Sequence, residues 1–111
     1  MKSIPFEASG GNVFEDIGFT PAEAAELAAK AKLMMAIKSA LQQRQLTQTE
    51  AARLCGTDQP TLSKALRGRL ESVTIDRLAT WLTALGQDVQ IIVKRCPRSR
   101  RLGRLSVVKA A

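Results

Sequence analysis

Apolar positions recur at helical spacing over most of the chain and switch to alternation near its end. Leu27, Ala31, Met34, Ile37 and Leu41 lie three or four positions apart, on one face of an α-helix. In front of them stands Thr20-Pro21-Ala22-Glu23, with the form of a capping box and a proline where a missing amide costs nothing. The spacing predicts a helix from residue 21 to about Gln45, either continuous or kinked between Ala28 and Lys32. A second box, Thr47 with Glu50, starts a helix at Gln48 with Ala51, Ala52 and Leu54 as its buried side. Gly56 ends it by permitting a left-handed turn, and Asp58 caps the next helix, which tolerates Pro60 in its first turn and buries Leu62, Ala65 and Leu66. Thr74 opens a last helix through Leu85, with Ile75, Leu78, Leu82 and Leu85 inward and Trp81 at the edge of the stripe. After Gly86, Val89, Ile91 and Val93 alternate with Gln90, Ile92 and Lys94, the period of a strand. A lone strand needs a partner, either the N-terminal arm or the same segment of a second copy.

The pair of short helices joined by a glycine-centred turn is a helix-turn-helix. On its second helix Gln59, Thr61, Ser63, Lys64 and Arg67 are left pointing outward, with no acid among them. Such groups suit the major groove, where base edges offer donors and acceptors and phosphates line both sides. The motif resembles the Cro and lambda-repressor-like (Xre) family, with Gln48, Ala52, Gly56 and Leu62 at its first, fifth, ninth and fifteenth positions and Arg67-Gly68 closing it. The resemblance implies that Gln59, Pro60, Thr61 and Lys64 face base edges, while Gln48, Ser63 and Arg67 sit nearer phosphates. Pro60 departs from the polar residue common there, so its contact is expected to be apolar, for instance with a thymine methyl. The plain alternative is two packed helices with a solvated polar face.

Charge sharpens this reading. The chain has 111 residues, with 17 Lys and Arg against 10 Asp and Glu, a net of +7. Residues 1–31 hold two Lys and five acids, so the remaining 80 residues carry 15 bases against five acids, a net of +10 that includes the helix-turn-helix. A polyanionic partner follows from counterion release, although a basic balance alone also fits RNA. With no histidine, no cysteine pair at metal spacing and no phosphate loop or nucleophile motif, the residues argue against an enzyme, a cofactor or a metal. Cys55 reads as a small buried hydrophobe and Cys96 as an exposed thiol. Nothing resembles a signal peptide or reaches membrane-spanning length, so a cytoplasmic protein without membrane contact is expected.

Three regions fit the chain: an arm over 1–19, a DNA-binding domain with its strand over 20–94, and a basic tail over 95–111. In the arm, residues 1–13 show no sustained period and read as flexible; Phe14, Ile17 and Phe19 then form an apolar cluster beside Glu15 and Asp16. That cluster either folds back as a hydrophobic staple or docks on a basic partner. Trp81 likewise fits the core or, with Leu85, Val89, Ile91 and Val93, a dimer surface. Arg44, near the start of the motif, is a candidate phosphate contact. The tail has seven cations between residues 94 and 109 and no acid, and is expected to be disordered alone. It either grips DNA backbone or serves as a solubilising extension.

The order of parts is similar to the HigA-type antitoxins of the Xre family: FEDIGFTPAEAAEL, then LTQTEAARLCGTDQPTLSKALRG, then TIDRLATWLTALGQDVQIIV, over about residues 12–94. RLESV before Thr74 departs from the family's frequent Phe-Ser-Leu-Asp pattern. The resemblance implies an all-α, lambda-repressor-like bundle with one C-terminal strand, paired across a homodimer. It also implies a repressor of its own operon that binds palindromic double-stranded DNA and neutralises a small basic, RelE-like mRNA-cleaving toxin. A stand-alone Xre regulator without a toxin, and an interaction protein that no longer binds DNA, are the competing readings.

Overall fold

The computed structural model describes residue 14 and residues 17–110. The expected flexible arm over 1–13, and the acids Glu15 and Asp16, lie outside the described residues.

Helix α1, Pro21–Arg44, is one continuous helix of 24 residues, so the division into two helices allowed by the sequence does not occur. Its start is fixed by the predicted box: Thr20 N donates to Glu23 Oε1 at 2.9 Å, and Glu23 N donates to Thr20 Oγ1 at 3.2 Å. No proline or glycine interrupts it, and Leu27, Leu33, Met34, Ile37 and Leu41 line its buried side. It ends at Gln45, whose φ of 54° is left-handed and which no glycine relieves. Helix α2, Gln48–Cys55, opens on the second box, with Thr47 N to Glu50 Oε1 at 2.8 Å and Glu50 N to Thr47 Oγ1 at 3.1 Å. Helix α3, Gln59–Leu66, follows, capped by Asp58, and α4, Ile75–Ala84, is capped by Thr74. A single 3₁₀ turn, Leu70–Ser72, bridges α3 and α4.

One core joins the four helices. Ala51 and Ala52 of α2, Leu62 and Ala65 of α3, and Leu78 and Leu82 of α4 close over the apolar side of α1. The small alanines on α2 let the neighbouring helices approach closely. Two sequence expectations shift here. Leu54 is 46% exposed, because Cys55, one turn after Ala51, takes the inward place at that end of the short helix. Trp81 is 2% exposed and Leu85 1%, so both fill the protomer's own core and offer no surface to a second copy. Leu70 and Val73, in the link that showed no pattern, are also core. Their turn is tied to α1 by Lys30, 6% exposed, whose Nζ donates to the Leu70 carbonyl at 3.1 Å.

The C-terminal stretch departs most from expectation. Residues 87–94 form no strand among the described residues; Gln87 N returns to the Leu82 carbonyl at 2.9 Å behind α4. Val89 is half-buried against the core, whereas Ile91, Ile92 and Val93 are 88%, 78% and 92% exposed. The tail, expected to be disordered, has defined positions through residue 110. Arg100 N donates to the Pro97 carbonyl at 3.1 Å in a turn, and Val107 packs on the core. Cys96 is half-buried beside the Arg100 carbonyl, not exposed as expected. No helix among the described residues is long and apolar enough to cross a membrane.

Candidate nucleic-acid interface

The turn between α2 and α3 determines what α3 presents. Gly56 adopts φ 71°, and its amide and that of Thr57 return to the Arg53 and Ala52 carbonyls at 3.2 and 3.0 Å, closing α2. Asp58 then accepts from Thr61 N at 2.7 Å through Oδ1, which satisfies an orphan amide of α3. The hydroxyl and the amide of Thr61 hold the Asp58 carboxyl below its ordinary value of 3.8, so it stays ionised at the positive end of the helix. Leu62, 0% exposed, and Ala65, 1%, anchor α3 inward and fix its rotation.

That rotation leaves Gln59, Pro60 and Lys64 exposed, with Thr61 and Ser63 half-buried at the edges of the outward face. Arg67, at the helix end, is exposed. Gln48 and Arg44 are exposed as well, at the start of α2 and in the last turn of α1.

A feature the sequence did not reveal binds the two helices at their starts. Gln59 Nε2 donates to Gln48 Oε1 at 2.9 Å. The bridge leaves Gln59 with its own Oε1 and one remaining N–H, an acceptor and donor side by side, which is the complement of an adenine edge. Gln48 is left with its two N–H groups, which suit a phosphate oxygen. The signal was available in principle: two glutamines, each the first residue of a helix, on either side of a tight turn.

Cys55 lies beside the turn, half-buried, with its Sγ 3.8 Å from the Trp81 carbonyl; burial pushes its thiol up from the ordinary 9.0, so it is a neutral packing group. No group of His, Cys, Asp or Glu among the described residues is arranged to hold a metal.

The other candidate residues fall elsewhere. Phe14 and Phe19 are half-buried and meet edge to face at 6.2 Å against the core, as a staple would, while Ile17 is 67% exposed. Of the dimer candidates Val89, Ile91 and Val93, only the last two are solvent-exposed.

Comparison with known proteins agrees with this geometry. A family model described as a helix-turn-helix domain matches residues 13–94. A solved structure named, provisionally, as an XRE family transcriptional regulator superposes with a TM-score of 0.72 at 39% identity, covering 79% of this chain and 99% of that one. No curated protein gives a significant match. With the family model spanning most of the chain and a relative of this identity matched over almost its full length, the chain belongs to the Xre family of helix-turn-helix transcriptional regulators.

Proposed function

We propose that the protein is a sequence-specific DNA-binding repressor that works as a homodimer, and that it serves as the antitoxin of a type II toxin–antitoxin module. The observation that carries the DNA-binding part is the outward face of α3, in which exposed Gln59 is braced on Gln48 and exposed Lys64 follows on the same helix. In this reading Gln59, Pro60, Thr61 and Lys64 meet base edges. Gln48, Ser63, Arg67 and Arg44 meet phosphates on either side. Two copies of α3, about 34–36 Å apart, enter successive major grooves of a palindromic operator and block transcription.

The dimer is supported by residues 87–94. They form no strand among the described residues and carry a run of exposed Ile91, Ile92 and Val93. Antiparallel pairing of this segment with its copy satisfies the backbone and covers the apolar side chains at once. Toxin neutralisation falls to the N-terminal segment. Ile17 supplies an exposed apolar contact, Phe14 and Phe19 its support, and the net negative charge of residues 1–31 attracts a basic partner. The toxin is of the RelE-like, mRNA-cleaving class that the resemblance implies.

The test is genetic and biochemical together. Co-expression with the adjacent short reading frame is expected to rescue growth from that frame's toxicity and to yield a co-purifying complex. Ile17→Asp is expected to abolish rescue while leaving promoter binding intact. No toxic neighbour, or rescue unaffected by Ile17→Asp together with deletion of residues 1–19, sinks the antitoxin assignment. A stand-alone Xre regulator is the second reading, favoured by the name of the matched structure, which mentions regulation alone.

A further inference from the structure

We propose that residues 95–110 form a second, sequence-independent phosphate-binding arm that lengthens the protein's footprint on duplex DNA. The inference rests on the DNA-binding reading above and extends it to a part of the chain that the family model does not reach. The family match stops at residue 94, and the matched structure is covered almost completely while 79% of this chain is used. The arm therefore lies outside the part of the chain that the family model describes.

Its chemistry is one-sided. No acid follows Asp88, whereas seven cations lie between Lys94 and Lys109. Arg95, Arg98, Arg101, Arg104 and Lys109 are exposed, and none of them is ion-paired among the described residues. Arg100 is half-buried and keeps Nη1 shielded from water with no acceptor among the described residues. A donor in that position gains by swinging out to an anion, because a buried unsatisfied N–H is costly.

Placement points the same way. Val107 packs against the core, which fixes the arm on the domain. Beyond that anchor, Lys109 and Ala110 line a cleft with Ala36, Ser39, Ala40 and Gln43 of α1 and with Gln87. Gln43 is in the last turn of α1, next to Arg44, and that turn leads into Gln48 at the start of the motif. The arm thus ends, with the ammonium group of Lys109, beside the half of α1 that leads to Arg44 and Gln48. Guanidinium groups suit this role through their fork of donors, and a phosphate backbone supplies regularly spaced acceptors whatever the sequence. A single-stranded RNA or an acidic protein offers similar charge, but the braced α3 on the same domain favours a duplex.

The experiment measures fluorescence anisotropy of three labelled probes with the full chain across a salt series. The probes are a duplex of the DNA upstream of its own reading frame, a scrambled duplex of equal length, and a single-stranded RNA. One variant carries Arg95→Gln, Arg98→Gln, Arg101→Gln and Arg104→Gln; a second carries Lys at the same positions. All four sites are exposed, so folding is preserved. The Gln variant is expected to bind both duplexes roughly tenfold more weakly, by the same factor, and to flatten the slope of log affinity against log salt by about 0.9 for each phosphate that the arm no longer neutralises. The Lys variant is expected to retain most of the slope. An unchanged slope in the Gln variant makes the arm a solvated extension and overturns the proposal. So does weakening confined to the upstream duplex, or tail-dependent binding that is tighter on RNA than on either duplex. If the full chain shows no preference for the upstream duplex over the scrambled one, the repressor reading fails; a tail-dependent slope on both duplexes still supports the arm.

Discussion

Helices α2 and α3 and the stretch from residue 87 to residue 110 are of similar length and opposite character. The first is closed on itself: each helix has a side-chain cap, the turn has its glycine, and Ala51, Ala52, Leu62 and Ala65 go inward. Its polar face is left outward with its donors and acceptors already arranged. The second has no helix or strand among the described residues, holds to the core through Val89 and Val107, and exposes Ile91, Ile92, Val93, Leu102 and Val108. Where local sequence satisfies the backbone, a short segment acquires its shape alone. Where it does not, the same length of chain depends on what it packs against, here the core through Val89 and Val107.

The largest expected effect separates the two at the core. Trp81→Ala empties a site 2% exposed and is expected to cost about 3–5 kcal/mol in urea unfolding, enough to leave a small domain barely folded. Ile91→Ser with Val93→Ser removes two side chains already in water, and is expected to change protomer stability by less than about 0.5 kcal/mol. The same pair is expected to shift sedimentation from dimer to monomer. A dimer that survives both changes contradicts pairing through this segment.

A smaller effect is expected at the turn. Gly56 has φ 71° and no atom within 4 Å of where a Cβ would stand, so Gly56→Ala is penalised by conformation alone, by about 1–2 kcal/mol. Gln45 holds a similar left-handed geometry at φ 54° without glycine, and Gln45→Gly is expected to stabilise the protein by up to about 1 kcal/mol. Thermal unfolding of both variants checks the pair of signs.

The smallest effect concerns pH. Glu23 and Glu50 are held below their ordinary 4.5 by the backbone and then the side chains of Thr20 and Thr47, and Asp58 below 3.8 by the side chain and then the backbone of Thr61. A carboxyl with a depressed folded pKa binds protons more readily when unfolded, so its contribution is present above those ordinary values and disappears as pH falls through the lower folded ones. Stability is expected to be flat from neutral pH to about 5 on their account and to decline in the acid range below. A Thr47→Ala variant is expected to show a shallower decline, measured as melting temperature against pH.

Much of this fold was legible because it is local. The two boxes at Thr20 and Thr47, the caps Asp58 and Thr74, the turn at Gly56 and the stripes on α1 and α4 each depend on residues within one or two turns of one another. What escaped the sequence depends on distant partners. Lys30 meets Leu70 across 40 positions, and the burial of Leu70 and Val73 follows from that crossing rather than from any periodicity. Trp81 stood at the edge of its stripe, and its depth was decided by α1 and α2 packing over it. Residues 89–94 alternate as a strand does, but alternation supplies no partner. For the site, the outward residues of α3 were readable from spacing, whereas the Gln48 to Gln59 bridge needed the turn angle as well.

Whether the outward face of α3 reads base sequence is the central question. In vitro selection from a random duplex library, run in parallel with the full chain and with a Gln59→Ala, Lys64→Ala variant, tests it most directly. The full chain is expected to enrich a two-fold symmetric motif with half-sites about one helical turn apart, while the folded variant still binds duplex but enriches none. Recovery of the same motif by both proteins contradicts base reading by Gln59 and Lys64.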